Sequence, residues 1–265
     1  VAHFPGTAGT VIQAYDRILE NEGRISDIVT GFLDPDDAEP FMGEETTEDT
    51  SSDDSDSDDD DDDTSSDDDN DNGPDPETTP AVLDIPARRG IRTTFFVIGE
   101  KLRDPARHAL AARAHAEGHW IGNHTFHHLA PLGASQFSRA AEWEIGRTQE
   151  LIGELAHPDR LFRPFGSGGV LDDALLSPAA VDYLCREGFS CVLWNVIPRD
   201  WEDPEGWVPR ALEMCAAEDW PLVVIHDLAT TAMDRLEAFL DGLEAAGYAI
   251  VQEVPPDRVP IVRGK

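Results

Sequence analysis

The sequence predicts an α/β protein with a mostly parallel sheet and crossover helices, arranged as an open or incomplete β/α barrel. Three observations carry this expectation. After Gly73, short apolar runs alternate with helical patterns to the end of the chain. Five or six such units suit a barrel better than a two-domain dinucleotide-binding fold, and neither G-x-G-x-x-G nor a P-loop is present. Residues able to do chemistry collect just after the strand-like runs, where β/α architectures place their reactive groups.

Taken in order, residues 1–43 form an N-terminal extension, in which AGTVIQAYDRILENEGRISDIVTGFL (8–33) reads as one weak helix and a short apolar run. Residues 44–72 (EETTEDTSSDDSDSDDDDDDTSSDDDNDN) have no aliphatic or aromatic side chain to bury, so they cannot offset their ordering entropy and read as a disordered acidic tract. Residues 73–265 form the β/α domain. Its strand-like runs are RTTFFVIG (92–99), HWIGN (119–123), LFRPF (161–165), FSCVLWN (189–195), PLVVIHD (221–227) and YAIVQ (248–252). Helical patterns cover 105–117, 135–155, 177–187 and 229–246; Pro105 suits a first helical position, and Ser177-Pro178 is an N-cap followed by an N1 proline.

Charge follows the same division. The 265 residues carry 54 acidic against 20 basic side chains, a net of −34. Residues 34–77 hold 23 of the acidic groups and no Lys or Arg, leaving 31 against 20 elsewhere, a net of −11. An acidic insert is thus joined to a domain of ordinary charge. Nucleic-acid binding is disfavoured, because no basic stripe is present to meet phosphate. No apolar stretch is long enough to span a membrane, and no signal peptide is visible, which makes the cytoplasm the default expectation. Cys185, Cys191 and Cys215 read as free thiols. The tract lacks EF-hand spacing, so cation binding there is a secondary reading.

His124 and His128 follow HWIGN; at i and i+4 on a helical turn, both imidazoles would face one side and seat Zn²⁺ or a similar ion. The alternative is a polar loop with satisfied histidines. His226 ends PLVVI and suits proton donation at neutral pH, or else packs or caps a strand end. Arg163 is either a structural ion-pair donor or a fixed cation orienting a carboxylate. Asp200 is either that carboxylate's neighbour or the partner of His226. Trp120, Trp143, Trp194, Trp207 and Trp220 could stack on sugars, with packing as the commoner role.

The series DNGPDPETTPAVLD (71–84), TTFFVIGEKL (93–102), HTFHH (124–128), FRPFG (162–166), WNVIPRDW (194–201) and VVIHD (223–227) resembles the NodB-like polysaccharide deacetylases, carbohydrate esterase family 4, across about residues 71–252. The resemblance implies a distorted (β/α)₇ barrel and a metal-dependent hydrolase that removes acetyl from N-acetylated sugars, with Zn²⁺ foremost and Co²⁺, Ni²⁺ or Mn²⁺ as alternatives. It implies Asp71 as general base, Asn72, His124 and His128 as metal ligands, and His226 as general acid. Arg163 would steady the base, and Asp200 with Trp201 would shape the pocket and tune protonation. Phe165, Gly166 and Ile225 would line the sugar site, Ile225 standing where the family has leucine.

The pattern departs from the family in two places. Asn72 replaces a carboxylate ligand, removing one negative charge from a divalent site. The residues before Asp71 are Ser66-Asp67-Asp68-Asp69-Asn70, and a run of Asp cannot line a core strand. Either the first strand is absent or IVTGFL (28–33) takes its place. Pro86 is expected to interrupt the helix at 79–89. A non-catalytic sugar-binding relative is the alternative to a working enzyme.

Overall fold

The computed structural model describes Leu19 and residues 73–166 and 169–265. The acidic tract, IVTGFL (28–33), Asp71 and Asn72 lie outside the described residues. Helix α1 (Thr79–Arg89) leads into β1 (Thr94–Val97), α2 (Pro105–Ala116) and β2 (Trp120–Asn123). A π-helical turn (Glu142–Gly146) runs into α3 (Arg147–Ile152), followed by β3 (Leu161–Phe162), α4 (Pro178–Glu187) and β4 (Ser190–Cys191). Helices α5 (Trp207–Ala216) and α6 (Leu236–Ala245) complete the domain. The strands form one parallel sheet in the order β1-β2-β3-β4, with helix between each pair of neighbours.

Capping explains where the helices start. Asp104 accepts the Ala106 N–H at 2.9 Å ahead of Pro105, and Ser177 accepts the Ala180 N–H at 3.2 Å ahead of Pro178. Gly90 and Gly188 close α1 and α4 in the left-handed conformation, with φ of 65° and 74°. Contrary to the expectation for Pro86, α1 runs unbroken to Arg89. The 135–155 pattern forms regular α-helix only over its final part, because its middle is π-helical. Helix α5 was not legible as such; it is anchored by Trp207, whose indole N–H donates to the Ala232 carbonyl at 2.9 Å.

Two expected strands are not built into the ladder. PLVVIHD contributes one parallel bridge, Val196 to Val223, and YAIVQ pairs with no strand among the described residues. The reason lies beside β1. A cavity of about 410 Å³ separates β1 from residues 222–227, lined by Val82, Phe95, Val223, Leu236, Phe239 and Leu240 among others. No described strand occupies it. A strand forms by exchanging backbone hydrogen bonds with a neighbour, and both walls of this slot lack one. Trp220, Ile250 and Val251 line the same cavity and are 41%, 40% and 49% exposed.

Three histidines make the domain acid-sensitive. His119 Nδ1 accepts the Thr93 N–H at 3.0 Å, and His157 Nδ1 accepts the Asp159 N–H at 3.2 Å; both roles need a neutral ring. Burial lowers the pKa of both, and that of His124 more strongly. The unfolded chain therefore takes up protons that the folded chain excludes. Stability of the metal-free protein is full above the ordinary histidine range and is lost as pH falls through and below about 6.5. Urea midpoints at about pH 7.5 and 5.5 should differ, lower at 5.5, and His119→Gln should flatten part of the fall. Equal midpoints would contradict this.

Candidate active site

The reactive side chains occupy the carboxyl ends of successive sheet positions. His124 follows β2, Arg163 follows β3, and His226 follows the extended segment bridged at Val223. All three line the cavity beside β1.

His124 and His128 converge, but not from a helix. The segment between them is a loop in which Thr125 (φ 69°) and His128 (φ 57°) adopt left-handed backbone, and this reversal, not a helical i, i+4 spacing, turns the rings together. Their Nε2 atoms stand 3.1 Å apart. Two nitrogens each about 2.0–2.1 Å from one cation, at tetrahedral angles, are separated by about 3.3–3.4 Å, slightly more than this hydrogen-bond contact. His124 Nδ1 lies 2.8 Å from the Arg163 carbonyl; with the proton there, Nε2 presents its lone pair. Burial first, and the adjacent His128 ring second, hold His124 well below the ordinary histidine range, which keeps it in the ligating form. The pair therefore fits a divalent ion. No group of three His, Cys, Asp or Glu that could hold one is present among the described residues.

Arg163 is 9% exposed, its guanidinium lying 4.1 Å over the Phe96 ring. Among the described residues its Nε has no hydrogen-bond partner. Burial pushes its pKa down to about 9, the mark of a charge without an adequate counter-ion. A structural ion pair is therefore not its role among these residues.

Asp200 resolves to the partner of His226. Fully buried, it accepts the His226 backbone N–H at 2.8 Å and meets Nδ1 at 2.9 Å. The ring is thereby fixed with Nδ1–H on the carboxylate and Nε2 available to the cavity. Trp201 packs edge-on against the same ring at 4.6 Å. Phe165 packs edge-on against His128 at 4.3 Å, and Ile225 lines the cavity wall. Gly166, next to Phe165, has a φ of 148°. Trp143, Trp194 and Trp207 are buried as packing, and Trp220 alone of the five is substantially exposed.

Two acids escaped the sequence reading. Asp227 ties down the turn that carries the first motif: its Oδ1 accepts the Gly73 N–H at 2.8 Å, and its Oδ2 accepts the Thr79 hydroxyl. A Cβ at Gly73 would run into this carboxylate, so glycine is required there. The turn next to Asn72 is thus fixed beside His226. Glu144, buried beneath the histidine loop, accepts the N–H groups of Phe126 and His127. Glu144 belongs to no spacing motif, and Asp227, although it closes the VVIHD run, gives no sequence signal of its contact with Gly73.

A protein-family model described as polysaccharide deacetylase matches residues 69–183. The peptidoglycan-N-acetylglucosamine deacetylase of Bacillus cereus is 32% identical over 189 residues, spanning 68% of this chain and 82% of that relative. This chain belongs to the polysaccharide deacetylase family. Another member, a chitooligosaccharide deacetylase of Rhizobium leguminosarum bv. trifolii, is 33% identical over 194 residues, spanning 68% of this chain and 86% of the relative. Among solved structures of the family, the peptidoglycan deacetylase PdaC from Bacillus subtilis aligns with a TM-score of 0.52 at 27% identity, over 68% of this chain and 83% of that one. A second model, described as the non-essential region of sigma-70, matches residues 4–84 and overlaps the deacetylase match at the Gly73 turn.

Proposed function

We propose that this chain hydrolyses acetamido groups on an N-acetylated polysaccharide or oligosaccharide, using a divalent ion held by His124, His128 and Asn72. The observation that supports it best is the convergence of His124, Arg163 and the Asp200–His226 pair, from three strand ends, on one cavity. Zinc suits two imidazole nitrogens and one oxygen, with cobalt, nickel or manganese as alternatives. When bound, such an ion polarises the amide carbonyl and lowers the pKa of a coordinated water.

The chain's own residues supply the rest. Asp71 takes the proton of the attacking water. Arg163, a buried cation lacking a described anion, keeps that carboxylate ionised and aimed. His226, held by Asp200 at Nδ1, gives a proton from Nε2 to the departing amine. Phe165, Gly166, Trp201 and Ile225 contact the sugar and its acetyl group. Residues 73–265 form the β/α domain, and the extension and acidic tract of residues 1–72 precede it, their last two residues, Asp71 and Asn72, supplying the base and a ligand.

Acetate release from N-acetylglucosamine oligomers, with and without added Zn²⁺ or Co²⁺, tests this directly. Metal-stimulated release is expected. Asn72→Asp, which returns a negative charge to the site, should tighten Co²⁺ binding and raise release at low metal. Binding of oligomers with no acetate under any metal would contradict the reading and favour a sugar-binding relative.

A further inference from the structure

The turn before α3 is π-helical over Glu142–Gly146. Such turns carry one residue more than an α-helical turn and re-aim the side chains on it. Here the widened turn faces the histidine loop. It leaves the Ile145 carbonyl to accept from the Asn123 side-chain amide at 2.8 Å. It also places Glu144, 1% exposed, under residues 126 and 127. Oε2 accepts the Phe126 N–H at 2.9 Å and the His127 N–H at 3.0 Å, and Oε1 meets His127 Nδ1 at 2.6 Å. Asn123, tied to the same turn, accepts the Thr125 N–H at 3.1 Å through its own Oδ1.

The loop so held is costly. Two non-glycine residues, Thr125 and His128, sit in left-handed backbone, a conformation that persists only where surroundings impose it. A buried carboxylate is costly too unless every lone pair is used, and here both oxygens are. An apolar side chain at 144 would leave two buried N–H groups without their acceptor. Phe126 and His127, two of the three residues between the paired histidines, are thus fixed by one anion.

We propose that Glu144 is a positioning residue for the His124–His128 pair. It touches neither metal nor substrate; it holds the strained backbone that brings the two Nε2 atoms to a common point. The inference rests on the metal-binding reading of that pair. The test is Co²⁺ binding to full-length Glu144→Gln, which keeps one carbonyl acceptor and loses the charge, followed by calorimetry and by the visible absorption of the bound ion. Co²⁺ Kd should rise about 10- to 100-fold, with an altered visible band, while the metal-free fold is retained. In acetate release, kcat at limiting Co²⁺ should fall with little change in KM for the oligomer. If Glu144→Gln does not fold, Asn123→Ala, which unties the other end of the loop, decides by the same shift in Kd. Unchanged Kd and an unchanged band in the folded variant would overturn the proposal, whatever the loss of stability. Wild-type protein that binds no Co²⁺ would overturn the metal reading itself, a result distinct from wild-type binding that Glu144→Gln leaves untouched.

Discussion

His124→Ala should abolish metal-stimulated acetate release and weaken Co²⁺ binding by more than the roughly 100-fold that loss of an outer supporting group causes. The reason is that a cation near the pair has only two described nitrogens to hold it, 3.1 Å apart, and His124 is the one whose lone pair is fixed in direction. Its Nδ1 contact to the Arg163 carbonyl orients the ring, and burial keeps it neutral. Removing it therefore takes away a pre-set ligand, not a mobile one that a water could replace at small cost. His128→Ala should act in the same direction. Both effects are read from calorimetric Co²⁺ titration beside acetate assays at saturating metal. Activity that recovers fully in excess metal, or affinity that hardly changes, would show that the pair serves only to pack the loop.

His226→Ala should lower kcat by about 10²- to 10⁴-fold, the range for loss of a positioned proton donor, with Co²⁺ affinity preserved. Asp200→Asn is the sharper probe. The carboxylate is fully buried and bonds both the backbone N–H and the ring of His226, so the amide keeps the shape while losing one of the two oxygen acceptors that hold this residue. A loss of kcat at unchanged Co²⁺ affinity is expected. Steady-state kinetics beside calorimetric Co²⁺ titration check it; a kcat equal to that of wild type would assign Asp200 to structure alone. The two sets of variants separate the halves of the site, since changes at histidines 124 and 128 are expected to move metal affinity and a change at histidine 226 is not.

Much of this arrangement was legible in the sequence because strand ends announce themselves. HWIGN and FFVIG could hardly be anything but strands, and the polar residues after them could only face the open end of the sheet. His226 and its neighbours were placed by the same argument. What the sequence could not show were contacts made by shape. The histidine pair converges through two left-handed residues that no spacing rule encodes, and the helix-based expectation reached the right pairing by the wrong geometry. The choice between two partners for Asp200 needed coordinates. Glu144 acts through a π-helical turn inside what reads as plain amphipathic helix, and Asp227 through a glycine more than 150 positions away in sequence.

The first strand was the clearest difficulty in the sequence, and it has a structural counterpart. Between β1 and residues 222–227 lies an apolar slot, and the segment expected as a strand at 248–252 stands beside it without a ladder partner among the described residues. The deacetylase match begins only at residue 69, within the region that also matches the sigma-70 model. The Gly73 turn is nonetheless fixed, because Asp227 holds it from the opposite wall.

The decisive measurement is X-ray absorption at the metal edge of the zinc-loaded protein. Two imidazole nitrogens at about 2.0–2.1 Å are predicted in wild type, falling to one in His128→Ala. A shell of oxygens with no imidazole signature, alike in both proteins, would contradict the account.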